Sequence, residues 1–237
     1  MNLSQLVEHV ERSYRLAEHE MSKLSFSSVG RHILSMDGMS GKMWRHFLNN
    51  LCSLPGCVHL EIGTWAGSTF CSSIYGNRSM HFACTVDNNS QFGNVSDRAR
   101  TAIDFTYAAS EFSTTQVASL NLDYKKLISE INPHVKFDTY YFDGPHDYED
   151  QYNGIMLMKD YLNEERCVIL VDDWNWVEPR NGTLHALETL NREIVWSKTI
   201  ITELEDGPKS SEWFQKNRRQ NSNWHNGVAI FVLGGKK

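Results

Sequence analysis

The stretch LEIGTWAGST, Leu60 to Thr69, moves from an apolar run through two glycines into small polar residues. A short buried strand, a tight turn and a helix start are its simplest reading, since glycine lets the chain turn sharply and approach a neighbour closely. The same pattern recurs on both sides. VHLEIG, HFACTVD, STTQVAS, FDTYYFDG and CVILVDD read as strands. GSTFCSSIYG, VSDRARTAIDFTYAA, LDYKKLISEI, YEDQYNGIMLMKDYLN and GTLHALETLNREI read as helices between and after them. Strands alternating with helices predict an α/β fold with a doubly wound, mostly parallel sheet. WSKTIITEL and GVAIFVLGG close the chain as strands with no helix between them, so the last strand is expected to be antiparallel.

Ahead of this unit, Leu3, Val7, Val10, Tyr14, Ala17, Met21 and Leu24 follow a heptad-like helical spacing. SFSSVGRHILSMDGMSG reads as a loop, and a second helix is expected from about Ser40 to Leu54. Residues 1–37 are thus a helical cap or oligomerisation segment, and residues 38–237 the main domain. A helix packed on its own domain and a helix that makes a dimer are both open at this stage. The polar stretch Glu205–Asn226 is an insertion between the last two strands.

Composition narrows the function. The 237 residues are 41% hydrophobic and 22% charged, with a formal net charge of −6. That supports a real core and disfavours nucleic acid as the main partner. The five cysteines form no C-x-x-C pair, and the N-terminus is too polar for a signal peptide. No stretch reaches the roughly 18 apolar residues of a membrane span. A cytoplasmic protein acting on a small molecule, with no membrane partner, is the expectation.

Open α/β sheets bind ligands outside the carboxyl ends of their strands. Those ends carry Glu61, Asp87, Asp143, and the adjacent pair Asp172 and Asp173. Gly63 and Gly67 belong to a turn, but Trp65 stands where a dinucleotide fingerprint needs its second glycine. Asp87 follows those glycines at about the offset of a ribose-binding acid. Asp143, Asp172 and Asp173 should converge if the fifth strand ends at Asp172 and Asp173 is already in the turn. Their repulsion would then be relieved by a hard divalent cation such as Mg²⁺; turn and capping roles without a metal are the plain alternative. His146, three residues after Asp143, can act as a general base, with Asp147 and Tyr148 as substitutes.

LEIGTWAGST, TVD, YYFDGPHDYEDQYNGI and VILVDDW, in that order, resemble the class I S-adenosylmethionine-dependent methyltransferases. Within them the chain is most similar to the metal-dependent macrocin O-methyltransferase-like sugar methyltransferases, and more distantly to catechol O-methyltransferase. The resemblance spans about Gly38 to Gly234. It implies a seven-stranded Rossmann-like sheet. It also implies S-adenosyl-L-methionine held by Glu61, Gly63, Thr64, Gly67, Ser68, Asp87, Ser119 and Asp143, with Ser119 near the adenine. Mg²⁺ would be held by Asp143, Asp172 and Asp173, with His146 as base. The catechol type carries lysine near the position of His146 and asparagine where Asp173 stands, which puts a catechol substrate in doubt; the resemblance to the sugar methyltransferases implies a sugar hydroxyl as acceptor. Trp174 and Trp176 are candidates for an apolar platform beside it. A metal-dependent hydrolase or hydroxylase on the same fold, and a non-catalytic binding module, are the competing readings.

Overall fold

One sheet of seven strands runs through the computed structural model, in the order β3-β2-β1-β4-β5-β7-β6. The described residues are 1–110, 114–202 and 223–236. The strands are β1 Val58–Ile62, β2 Phe82–Val86, β3 Gln116–Leu120, β4 Thr139–Phe142, β5 Cys167–Val171, β6 Arg192–Ile200 and β7 Val228–Lys236. β1 to β5 pair in parallel, and β7 runs antiparallel to both β5 and β6. This is the α/β Rossmann-like methyltransferase architecture, with the expected antiparallel last strand.

Eight α-helices accompany it among the described residues: α1 Leu3–Glu18, α2 Ser28–Ser35, α3 Lys42–Leu51, α4 Ser68–Ile74, α5 Ser96–Ala109, α6 Leu127–Glu130, α7 Tyr148–Leu157 and α8 Val177–Leu190. They cover both faces of the sheet, so the central strands are buried twice. β5, CVILV, is apolar throughout for that reason: Val168 and Leu170 join the core with α1 to α5, and Ile169 and Val171 join the core with α6 to α8. All five cysteines are free and buried. No described helix is long and apolar enough to cross a membrane.

α1 starts with a capping box between Asn2 and Gln5 and packs on α3 and β7. Its deepest face is Leu6, Val10, Ser13 and Ala17. The heptad-like seam overran the helix: α1 ends at Glu18, Met21 is exposed, and Leu24 sits in a 3₁₀ turn over Lys23–Phe26.

Three other segments differ from the sequence reading. α2 lies within the expected loop. Ser27 caps it by accepting from the Gly30 amide at 2.8 Å, and the Arg45 guanidinium donates to the carbonyls of Ile33, Leu34 and Met36 at its end. Glycine in this helix permits contact rather than flexibility, because a Cβ on Gly30 would lie 2.3 Å from the Leu24 carbonyl oxygen. LDYKKLISEI begins as a 3₁₀ turn over Tyr124–Lys126, tightened by Asp123 accepting from the Lys125 amide, and only then becomes the short α6. α8 begins at Val177, ahead of GTLH, and Asn191 in the left-handed region at φ +50° ends it, so Arg192 already belongs to β6. Of the expected Glu205–Asn226 insertion, residues 205–222 lie outside the described residues.

Candidate active site

Strand order reverses at β1, which has β2 on one side and β4 on the other. The crevice at such a switch point is where this kind of sheet binds ligands. Gly63 pins it. Its amide donates to the Val86 carbonyl at 2.9 Å, the Asp143 amide donates to the Ile62 carbonyl at 2.9 Å, and a Cβ on Gly63 would stand 1.8 Å from the Asp143 carbonyl oxygen. Its φ is +93°, which L side chains rarely adopt. Gly63→Ala is therefore expected to destabilise the chain by roughly 2–4 kcal/mol, read as a lower urea midpoint; an unchanged midpoint would mean that the turn relaxes freely.

A cavity of about 270 Å³ opens at this edge. Of the eight residues expected to hold the cofactor, Gly63, Asp87 and Asp143 line it. Asp87 accepts from the Trp65 amide at 2.7 Å and from the Asn89 amide at 2.6 Å. Each carboxylate oxygen keeps a second lone pair for a hydroxyl donor. Trp65 at φ +39° and Gly67 at φ +86° carry the turn between them.

Five expected cofactor residues do not line this cavity. Glu61 alternates to the opposite side from Ile62 and is fully buried, accepting from the Thr69 hydroxyl at 2.8 Å. Its second oxygen stands 4.0 Å from His59 Nε2, and burial pushes its carboxyl above the usual range. Thr64 is hydrogen-bonded to Thr85, Gly67 caps α4, and Ser68 is buried beside Ser40. Ser119 is exposed on edge strand β3, and the cavity wall on that side is formed by Leu122 to Lys125 instead, one turn further along the chain.

The other end of the cavity gathers the acids. β5 ends at Val171, and Asp173 lies beyond it in the left-handed region at φ +53°. One ligand atom each from Asp143, His146 and Asp173 lie within 4.8 Å of one another. His146 Nδ1 is 3.1 Å from Asp173 Oδ2. Asp172 joins differently: the Tyr141 hydroxyl, fully buried on β4, stands 3.1 Å from Asp172 Oδ2 and 3.2 Å from Asp143 Oδ2 and shares its proton between them. Asp172 Oδ1 is buried without a hydrogen-bond partner. Burial, then the neighbouring carboxylates, hold Asp143 and Asp172 well above the ordinary aspartate range. Of the three expected metal ligands, Asp143 and Asp173 belong to the group close enough to hold one ion, completed by His146, and Asp172 stands outside that group; the Asp143 and Asp173 carboxylates with an imidazole fit a divalent ion.

The two tryptophans separate. Trp174 is buried edge-on against Phe231 in the core, 5.7 Å between rings. Trp176 lines the cavity and meets the His146 ring edge-on at 5.0 Å. The substitutes for His146 face elsewhere: Asp147 caps α7 and Tyr148 bonds His185. Sequence reasoning missed Tyr141, His225 and Asn226. The last two line the cavity from the turn before β7, and Asn226 Nδ2 donates to Asp173 Oδ1 at 2.8 Å. The tetrapeptide WHNG ahead of the apolar β7 was the available signal, hidden in a polar stretch.

A family model described as a methyltransferase domain matches residues 60–174, just under half of the chain. Among solved structures, an O-methyltransferase from Bacillus cereus in complex with SAH shares the fold. It has a TM-score of 0.57 and 16% identity over 97% of this chain and 99% of that one. The O-methyltransferase TomG from Streptomyces achromogenes, involved in tomaymycin synthesis and in complex with SAM, gives a TM-score of 0.52 and 14% identity over 96% and 90% of the two chains. No curated protein matches the chain in sequence.

Proposed function

We propose that this chain, which carries the class I methyltransferase sheet and matches a methyltransferase domain over residues 60–174, transfers the methyl group of S-adenosylmethionine to a hydroxyl of a sugar or a glycosylated small molecule, with the help of a divalent cation. The observation that carries the reading is the placement of His146, paired with Asp173, at one end of a cavity whose other end holds Asp87.

The cofactor, when bound, supplies an activated methyl group, so the protein must supply a competent nucleophile. Gly63 and Asp87 form the floor of the donor half, with Asp87 oriented by two backbone amides toward ribose hydroxyls. Asp143 and Asp173 would hold the cation, with the Asp172 charge beside them, and it would make an acceptor hydroxyl easier to deprotonate. His146 holds a proton on Nδ1 against Asp173, which leaves Nε2 to accept the proton of the acceptor hydroxyl. Trp176 packs on the His146 ring and offers an apolar wall beside the acceptor. Holding donor and acceptor in line within the cavity contributes on the order of 7–11 kcal/mol in favourable cases.

The acceptor class rests on the resemblance to the sugar methyltransferases, and His146 and Asp173, where the catechol type carries lysine and asparagine, speak against a catechol. Transfer of radiolabelled methyl from S-adenosylmethionine, with Mg²⁺, to methyl glycosides bearing vicinal hydroxyls is the test. Label should enter a glycoside and be lost on chelation of the metal. Label on catechol alone would overturn the sugar assignment, and transfer undiminished by chelation would overturn the cation.

A further inference from the structure

Both carboxylate oxygens of Asp173 are engaged by side chains. Oδ2 faces His146 Nδ1 at 3.1 Å, and Oδ1 accepts from Asn226 Nδ2 at 2.8 Å. Asn226 is 2% exposed, and its carbonyl accepts from the Asn175 amide at 2.8 Å. The turn that carries it is clamped from several sides. Trp224 stacks on Tyr14 of α1 with ring centres 5.4 Å apart and meets Trp44 of α3 at an angle of 60°. The Trp44 amide donates to the Asn223 carbonyl at 3.2 Å, and the Thr202 hydroxyl to the His225 carbonyl at 3.0 Å. Gly227, at φ +83°, allows the close approach, because a Cβ there would stand 2.4 Å from Asn175 Oδ1.

We propose that Asn226 is a positioning residue, which fixes the Asp173 carboxylate and through it the tautomer and ring orientation of His146. The inference rests on His146 being the proton acceptor. A neutral imidazole carries one N–H, and which nitrogen holds it is set by the partner of the other. A carboxylate held only at Oδ2 can rotate about its Cβ–Cγ bond and let the ring turn. The amide on Oδ1 removes that freedom, so Nδ1 keeps the proton and Nε2 stays an acceptor on a ring that lines the cavity. The backbone bonds of Asn226 would suffice for a turn; the side-chain bond to Asp173 is what ties the turn to the site.

The test reads the tautomer directly. The full chain is labelled with ¹⁵N-histidine and observed by NMR without metal, above neutral pH. The His146 signals, among ten histidines, are identified by their loss in His146→Gln. His146 should be the Nδ1–H tautomer in the wild type and a mixture with Nε2–H in Asn226→Ala. Asp173→Asn should move it in the same direction, and the double variant no further, because both act through one contact. If Asn226→Ala does not fold, Asn226→Asp keeps the size and sets an acceptor against Asp173, so it should shift the tautomer as well. An unchanged His146 tautomer in either folded variant overturns the proposal. Binding of S-adenosylhomocysteine, measured on the same samples, separates the two questions: its absence in the wild type would count against the proposed function, while the tautomer would still decide the role of Asn226.

Discussion

His146→Gln should slow methyl transfer by about 10²–10⁴-fold, the usual contribution of a positioned general base, while leaving S-adenosylhomocysteine binding intact. Glutamine keeps much of the volume beside Trp176 but cannot take a proton near neutrality. The cofactor half of the cavity, around Gly63 and Asp87, is formed by other strand ends, so binding there should be insensitive to the change. Single-turnover rates at saturating cofactor isolate the chemical step. A fall of less than about tenfold would place the base elsewhere.

Asp172→Asn should make the metal-free protein more stable and its response to Mg²⁺ weaker. Asp172 is buried, one of its oxygens lacks a hydrogen-bond partner, and Asp143 and Asp173 stand beside it. Its folded pKa is raised above the unfolded value, as is that of Asp143. The native state therefore binds more protons than the unfolded chain between those two values. Stability from these groups is present below the unfolded aspartate pKa and is lost as pH rises through the folded one. Replacing one carboxylate with an amide removes part of that loss. A gain of about 1–3 kcal/mol, or roughly 2–12 °C in Tm, is expected at neutral pH, shrinking to nothing in acid where the carboxyls are protonated in both states. Thermal melts across pH, with and without Mg²⁺, check it. A variant less stable than the wild type at neutral pH without metal would show that the Tyr141 contact, not charge repulsion, dominates at Asp172.

Much of the sheet was readable because its strands are short, buried on both faces and punctuated by glycine or aspartate. The acids at the ends of β2, β4 and β5 stood out for the same reason: a carboxylate directly after an apolar run contradicts burial unless something else requires it. α2 was not readable, because Ser27 and Gly30 look like loop residues until the capping bond and the close approach to Leu24 are seen. Glu61 and Ser119 show a second limit. A strand-end position does not say which face a side chain takes, nor whether the ligand edge extends past the strand, as it does at Leu122 to Lys125. Tyr141 and Asn226 show a third. Each reaches the acid cluster through a tertiary contact: Tyr141 on β4 joins Asp143, two residues on, to Asp172 just past the end of β5, and Asn226 follows a polar stretch and precedes β7. Neither residue type at those positions signals a site by spacing alone.

The crevice between the ends of β1, β2 and β4 should bind S-adenosylmethionine. Calorimetric titration of the protein with S-adenosylhomocysteine tests it most directly, with Asp87→Ala as the partner variant. One-to-one binding that Asp87→Ala weakens by about tenfold or more, the worth of a hydrogen bond to a charged group, is the predicted result. No heat of binding in the wild type, or binding unaffected by Asp87→Ala, would contradict it.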